Sequence, residues 1–286
     1  DKVKKYLPDF VLADTANTEN LTIRHVLSHT SGLLPHAYDN LIEANLPLNK
    51  IIGKLKNVNA ICPVGECYAY QNVVYSLISP IIESASEQKY EAVLRDRLFL
   101  PLGMTDLTLS RDGLIANDNY ARPHVRKSGK WTPTAVKATY YNVPPAAGIN
   151  ASIHDMAHWL KGLVLSEPNV IPPQVMNEIC KPFIATKREM KRFNWRNRLR
   201  SASYGMGWRI FDYAGHTMIF HSGAVRGYLS GLAFLPEYQT GIVVLQNAFF
   251  ENHLIYEFID TYLEKVKKMI YPKTFPHAHK KILTKR

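Results

Sequence analysis

Apolar positions in the first two-thirds of the chain recur at helical spacing. In LTIRHVLSHTSGLL, Leu21, Ile23, Val26 and Leu27 form one stripe, and Ser31-Gly32 predicts a helix stop followed by a turn. NVVYSLISPIIESASEQ is apolar almost all round, which predicts a buried helix, and Pro80 in its interior predicts a kink. YEAVLRDRLFLPLGM is amphipathic and stops at Pro101 and Gly103. SIHDMAHWLKGLVL opens with Ser152 as an N-cap and Asp155 three residues on, close to a capping box.

The pattern changes near residue 203. YGMGWRIFDYAGHTMIFHSG holds two short β-rich runs around Ala214-Gly215, a hairpin signal. YLSGLAFLPEYQTGIVVLQN holds two more around Pro236 to Gln239, and NHLIYEFIDTYLEKVKKMI returns to a helix expected to pack on the sheet. Helices followed by antiparallel strands predict an α+β fold rather than alternating βαβ units. The expected domain spans 1–268, with a helix-rich lobe over about 20–200 and the sheet and closing helix over about 203–268. Residues 269–286 read as a basic tail. A sheet of about four strands under one terminal helix is small for such a chain, so strands and a helix from upstream of Asp1 are expected to complete it.

Composition narrows the classes. The 286 residues suffice for a sizeable core. No run approaches the ~18 apolar residues of a membrane span. The chain begins DKVKKYLPDF, without an initiator methionine or a signal pattern, so its first residue reads as a cut. Lys and Arg number 35 against 24 Asp and Glu, a net charge of +11. Part of the excess lies in TKREMKRFNWRNRLR, where seven residues are basic (Lys187, Arg188, Lys191, Arg192, Arg196, Arg198 and Arg200) and Phe193 and Trp195 interleave. That mixture suits phosphates and bases, or a surface loop whose aromatics anchor it. No nucleic-acid motif accompanies it, so no nucleic-acid partner is expected. Three cysteines exclude a fully paired framework within one chain. Cys62 and Cys67 flank PVGE, where a local disulfide and free thiols are both open; no second pair supports a zinc site. No metal or other cofactor is expected.

Two segments offer chemistry. Tyr70 and Asn72 lie at a loop-to-helix junction, where both polar tips can project into one cleft. In FHSGAVRGYLSG, strand alternation places His221 and Gly223 on one face. Gly223 leaves room for a ligand, and the backbone amide of Ala224 can donate to an oxyanion. Taken alone, Tyr70 also reads as a packed tyrosine and His221 as an ordinary polar strand residue.

Seven segments occur in order: DKVKKYLPDF, LTIRHVLSHTSGL, PVGECYAYQNVVYSLISPIIE, PLGMTDLTLS, PAAGINASIHDMAHWL, YGMGW and HSGAVRGYLSGLAFLP. Together they resemble the serine β-lactamase and penicillin-binding-protein superfamily, on its class C β-lactamase and esterase side, over about residues 1–250. The resemblance implies an antiparallel sheet flanked by helices, a helix-rich lobe, and acyl-enzyme hydrolysis of an ester, amide or β-lactam bond in a small molecule or peptide. It makes Tyr70 the proton shuttle and Asn72 the contact for the substrate's amide side chain. His221-Ser222-Gly223 takes the place of the family's Lys-Thr-Gly, with the Ala224 amide as oxyanion donor. A nearby lysine is expected to lower the Tyr70 pKa. It also implies export to the periplasm or cell envelope. Nothing in the sequence points to an oligomeric state.

The family's Ser-x-x-Lys motif precedes the segment with which this chain begins. The string Ser86-Glu87-Gln88-Lys89 instead follows Tyr-x-Asn, in a polar stretch. The nucleophile is therefore expected upstream of Asp1, and the chain by itself is expected to be inactive. A histidine in the lysine position titrates near neutrality, which weakens the hold on a carboxylate above about pH 7 and favours an ester or peptide over a β-lactam. The alternative is a non-catalytic ligand-binding or cell-wall-binding relative.

Overall fold

The structure, a computed structural model, describes residues 1–165, 167–191, 195, 197–249 and 253–270. Among the described residues there are nine strands: β1 (His124–Lys127), β2 (Lys130–Pro133), β3 (Ile184–Ala185), β4 (Leu199–Tyr204), β5 (Arg209–Tyr213), β6 (His216–Val225), β7 (Tyr228–Leu235), β8 (Thr240–Gln246) and β9 (Ala248–Phe249). Strands β3 to β8 form one antiparallel sheet in chain order. Its hairpins sit where turn chemistry puts them. Ala214 and Gly215 both take positive φ, 52° and 91°, as the turn between β5 and β6 requires. The second hairpin turns through Pro236–Tyr238 and Gln239.

The sheet has six strands where the hydrophobic pattern gives four. β4 is hidden because its pairing with β5 shifts register between Leu199 and Ser201, which breaks the period-two alternation. β1 and β2 form a hairpin through Ser128-Gly129, and β9 joins β1 in parallel to make a second, three-stranded sheet.

Both faces of the six-stranded sheet are covered. On one face Phe211, Met218, Phe220 and Ala233 pack against Ile255, Ile259 and Leu263 of the closing helix His253–Ile270. The helix lies so close that a Cβ on Gly231 would stand 2.4 Å from Ile255 Cγ2. On the other face Ile210, Ile219, Leu232 and Phe234 meet Leu102, Leu163 and Met176. Leu163 belongs to the helix Ile153–Leu165, whose start carries the expected reciprocal cap: the Asp155 amide donates to Ser152 Oγ at 3.1 Å, and the Ser152 amide donates to Asp155 Oδ2 at 2.9 Å. A third core, with Leu21, Val26, Leu33, Ile42, Val73 and Leu77, fills the helical lobe.

Two helices end differently from the pattern. The first runs only from Ile23 to Leu27, because His29 takes a left-handed φ of 56° well before Ser31. The apolar run after Tyr70 divides into Asn72–Tyr75 and Ile78–Ser86. A proline ring at Pro80 clashes with the carbonyl four residues earlier, that of Ser76, and the break falls there.

In the basic stretch, Trp195 is fully buried. It donates from Nε1 to the Tyr256 carbonyl at 3.3 Å, and Arg198 pairs with Asp260 at 3.0 Å and Glu264 at 2.5 Å. Trp195 is thus an internal anchor and cannot stack on a base. Arg192, Phe193, Arg196 and residues 271–286 of the basic tail lie outside the described residues. Among the described residues no helix is long and apolar enough to cross a membrane.

Candidate active site at the lobe junction

The cleft starts from two zipped loops. A disulfide joins Cys62 to Cys67, the closed form of the two alternatives the spacing allows. The Val64 amide donates to Asn17 Oδ1 at 3.0 Å, and Asn17 Nδ2 donates to the Cys62 carbonyl at 3.1 Å. The amides of Ile61, Gly65 and Ala69 then donate to the carbonyls of Gly32 (2.8 Å), Thr30 (2.8 Å) and His29 (2.9 Å). Gly32 is required at this contact: its φ is +82°, and a Cβ there would stand 2.4 Å from the Cys62 oxygen. This pairing gives LSHTSGL and Tyr-x-Asn a physical reason to occur together. One loop is the template for the other.

His29 is the centre of the template. It is buried, its Nδ1 accepts from the Gln71 amide at 3.2 Å, and its ring lies 4.1 Å from that of Tyr70, 5.1 Å from Tyr75 and 5.0 Å from Tyr204, centroid to centroid. Burial above all, then the nearby His221, Arg209 and His36, holds its pKa well below the ordinary 6.5. The ring is neutral at physiological pH, which keeps Nδ1 available as an acceptor.

The sheet supplies the opposite wall. His221 shares a strand face with Ile219, toward the helical side. Its Nε2 lies 3.1 Å from Tyr204 Oη, and its ring is 6.5 Å from that of Tyr70. Phe220 pairs with Arg209 at the start of β5, so β6 continues beyond its neighbour from His221 onward. Ladder alternation sends the amides of His221 and Gly223 to β7, and those of Ser222 and Ala224 toward the side that β5 has left. Ala224 and Gly223 are exposed, and a Cβ on Gly223 would stand 2.6 Å from Ser230 Oγ.

The structure therefore brings Tyr70 and His221 together, although they are far apart in sequence. Asn72 joins them with its amide committed: Nδ2 donates to Asp39 Oδ2 at 2.8 Å, and the same oxygen lies 2.9 Å from His36 Nδ1. Burial raises the Tyr70 phenol above its ordinary value; Arg209 pulls it down and Asp39 pushes it up. Within the described residues desolvation wins, and the cation that opposes it is an arginine. Ser86 takes no part, since its Oγ turns back to the Ile82 carbonyl at 2.7 Å. Among the described residues no cluster of His, Cys, Asp and Glu is arranged for a metal.

Sequence reasoning missed His29, Asp39, Tyr204 and Arg209 as parts of this cluster. His29 stands inside LSHTSGL and Tyr204 inside YGMGW, segments that carried the resemblance without roles for single residues. Asp39 and Arg209 had no local signal.

Known proteins share this sequence pattern and this fold. The chain is 24% identical over 270 residues to the unguisins hydrolase ungD' of Aspergillus campestris, covering 90% of this chain and 49% of that protein. It is 25% identical over 251 residues to Protein flp of Staphylococcus aureus, covering 86% and 47%. The chain thus spans about half the length of these relatives. Among solved structures, the octameric penicillin-binding protein homologue from Pyrococcus abyssi matches with a TM-score of 0.77 at 22% identity, over 96% of this chain and 60% of that one. D-amino acid amidase from Ochrobactrum anthropi matches with a TM-score of 0.71 at 18% identity, over 94% and 76%. The family model described as Beta-lactamase matches residues 1–256, and the chain belongs to that family.

Proposed function

We propose that this chain forms the substrate cleft of a serine acyl-hydrolase, whose nucleophile is a Ser-x-x-Lys serine outside residues 1–286. The observation that carries the reading is the meeting of Tyr70 and His221 across the lobe junction, beside a strand edge whose Ala224 amide points into open space. In this reading the lysine of the Ser-x-x-Lys motif offsets burial and holds Tyr70 as a phenolate, which takes the serine proton as the serine oxygen bonds to the substrate carbonyl carbon. The carbonyl π electrons move to oxygen, where the Ala224 amide and the serine's own amide donate to them. Collapse breaks the bond to the leaving group, which takes the proton from Tyr70. Water then cleaves the acyl-enzyme by the same path.

His221, Ser222 and Gly223 flank the substrate, the glycine keeping the strand clear of Ser230 Oγ, and Asn72 holds the floor through Asp39. An ester or amide substrate is favoured over a β-lactam, because no permanent cation stands in the position of the family's lysine. Two structural neighbours point the same way by name: the D-amino acid amidase, and a D-stereospecific amidohydrolase from Streptomyces sp. with a TM-score of 0.70. Export to the cell envelope goes with this assignment.

The test is turnover of nitrocefin, short p-nitrophenyl esters and D-amino acid amides by the full-length protein, with Tyr70→Phe and His221→Ala alongside. Ester or amide turnover lost in Tyr70→Phe is the expected outcome. Nitrocefin turnover as the leading activity, indifferent to His221→Ala, sinks the substrate preference. No turnover by a full-length protein that binds these ligands assigns the cleft to binding alone.

A further inference from the structure

The strand beside His221 carries a cation that the mechanism above does not use. Arg209 opens β5, and its guanidinium carbon stands 5.7 Å from the Tyr70 ring centroid and 5.6 Å from that of Tyr204. Its side chain is only 11% exposed. Nε meets Glu189 Oε1 at 3.3 Å, while Nη1 is buried without a hydrogen-bond partner among the described residues. Buried guanidinium groups are ordinarily satisfied on every nitrogen, because taking such a charge out of water is costly. Here one end is left facing phenol rings. The same guanidinium sits one strand from the position where the family resemblance places a lysine and this chain has a histidine.

We propose that Arg209 is a positioning residue that acts through Tyr70: its fixed charge holds negative charge on the Tyr70 oxygen and stands in for the lysine that this chain lacks at position 221. The proposal rests on the acyl-hydrolase reading for its purpose. Its physical content, an electrostatic coupling between two side chains, stands independently. A guanidinium never deprotonates in the working pH range, so its field is constant where that of an imidazole fades.

The surroundings of Tyr70 set the sign. From the helical side it is faced by His29, His36 and Asp39; from the sheet by Tyr204, Arg209 and His221. Tyr75 and Tyr140 lie near it as further phenols. Asp39 opposes negative charge on the phenol and Arg209 supports it. Glu189, behind the guanidinium, partly offsets Arg209. Removing Arg209 and removing Glu189 must therefore move Tyr70 in opposite directions.

The experiment places 3,5-difluorotyrosine at position 70, so that the phenol titrates nearer neutrality, and follows it by fluorine NMR. Arg209→Gln is expected to raise the midpoint by about 1 unit or more, Arg209→Lys to stay near the parent, and Glu189→Gln to lower it. If Arg209→Gln does not fold, the pair Arg209→Gln with Glu189→Gln removes both buried charges together and is expected to raise the midpoint as well. A midpoint that stays within about 0.3 unit of the parent in the Gln variants overturns the proposal. The titration needs no turnover. A shifted midpoint in an inactive protein upholds the coupling and sinks the hydrolase reading, while an active protein with an unmoved midpoint does the reverse.

Discussion

His29 and Tyr70 lie ring against ring, 4.1 Å between centroids and 35° between planes, although they come from separate loops. The contact is built by backbone pairing on both sides of it: the Ala69 amide on the His29 carbonyl, and the Gln71 amide on His29 Nδ1. A neutral imidazole is thus part of the wall that aims the phenol.

Acid should loosen this wall. The folded His29 pKa is depressed below 6.5, so the stability it contributes is present above pH 6.5 and falls as the pH drops toward the folded value. The unfolded chain takes up a proton there and the folded one does not. The slope is at most about 1.4 kcal/mol per pH unit for one group. His25, also lowered mainly by burial, adds in the same direction. His29→Asn, which tolerates the left-handed backbone, should flatten the dependence measured by chemical denaturation between about pH 5 and 7.5. It should also cost about 2–4 kcal/mol near neutrality through the lost aromatic packing. An unchanged slope contradicts this account.

Tyr204→Phe separates stability from chemistry. The hydroxyl bonds His221 Nε2 at 3.1 Å, while the ring is fully buried. Removing the oxygen should change the unfolding free energy by only about 1 kcal/mol. Turnover of the full-length protein should fall about tenfold if His221 orientation matters, with kcat more affected than KM. Unchanged turnover in Tyr204→Phe, with loss confined to Tyr204→Ala, shows that only packing is at stake.

Reduction of the Cys62–Cys67 bridge should be felt at Tyr70. Closing so short a loop contributes about 2 kcal/mol through the unfolded state. Cys62→Ser with Cys67→Ser should lower the Tm by several degrees, about 2–4 °C per kcal/mol, and increase amide exchange at Ala69 and Gln71. Cys180 is a poor competitor for exchange, since burial pushes its thiol up to about 11. Equal melting temperatures with and without reductant refute the clamp.

Gly231→Ala tests the seat of the closing helix. The new methyl meets Ile255 Cγ2 at 2.4 Å in a fully buried layer, for an expected loss of about 1–3 kcal/mol. Ile255→Ala removes the obstacle, so the two substitutions together should cost less than their sum. Strict additivity in a double-mutant cycle rules out the contact as the cause.

The sequence showed the fold wherever one rule acted alone. Ala214-Gly215 announces a turn, Ser152 and Asp155 announce a cap, and both are found in place. It concealed what depends on pairing at a distance. β4 is irregular at its bulge, and the helix after Leu21 yields to a loop pairing with residues 61–69 that no local spacing announces. The same division holds for the cluster. Tyr70 and His221 were visible because motifs mark them. Arg209 was not, because its importance lies in which rings it ends up beside.

Tyr70 belongs to the first third of the chain and His221 to the last, and neither lobe alone holds both. The pocket around Tyr70 is therefore a record of completed assembly: a chain that has built its helices but not docked its sheet keeps the phenol beside His29 and lacks the wall that His221, Tyr204 and Arg209 supply.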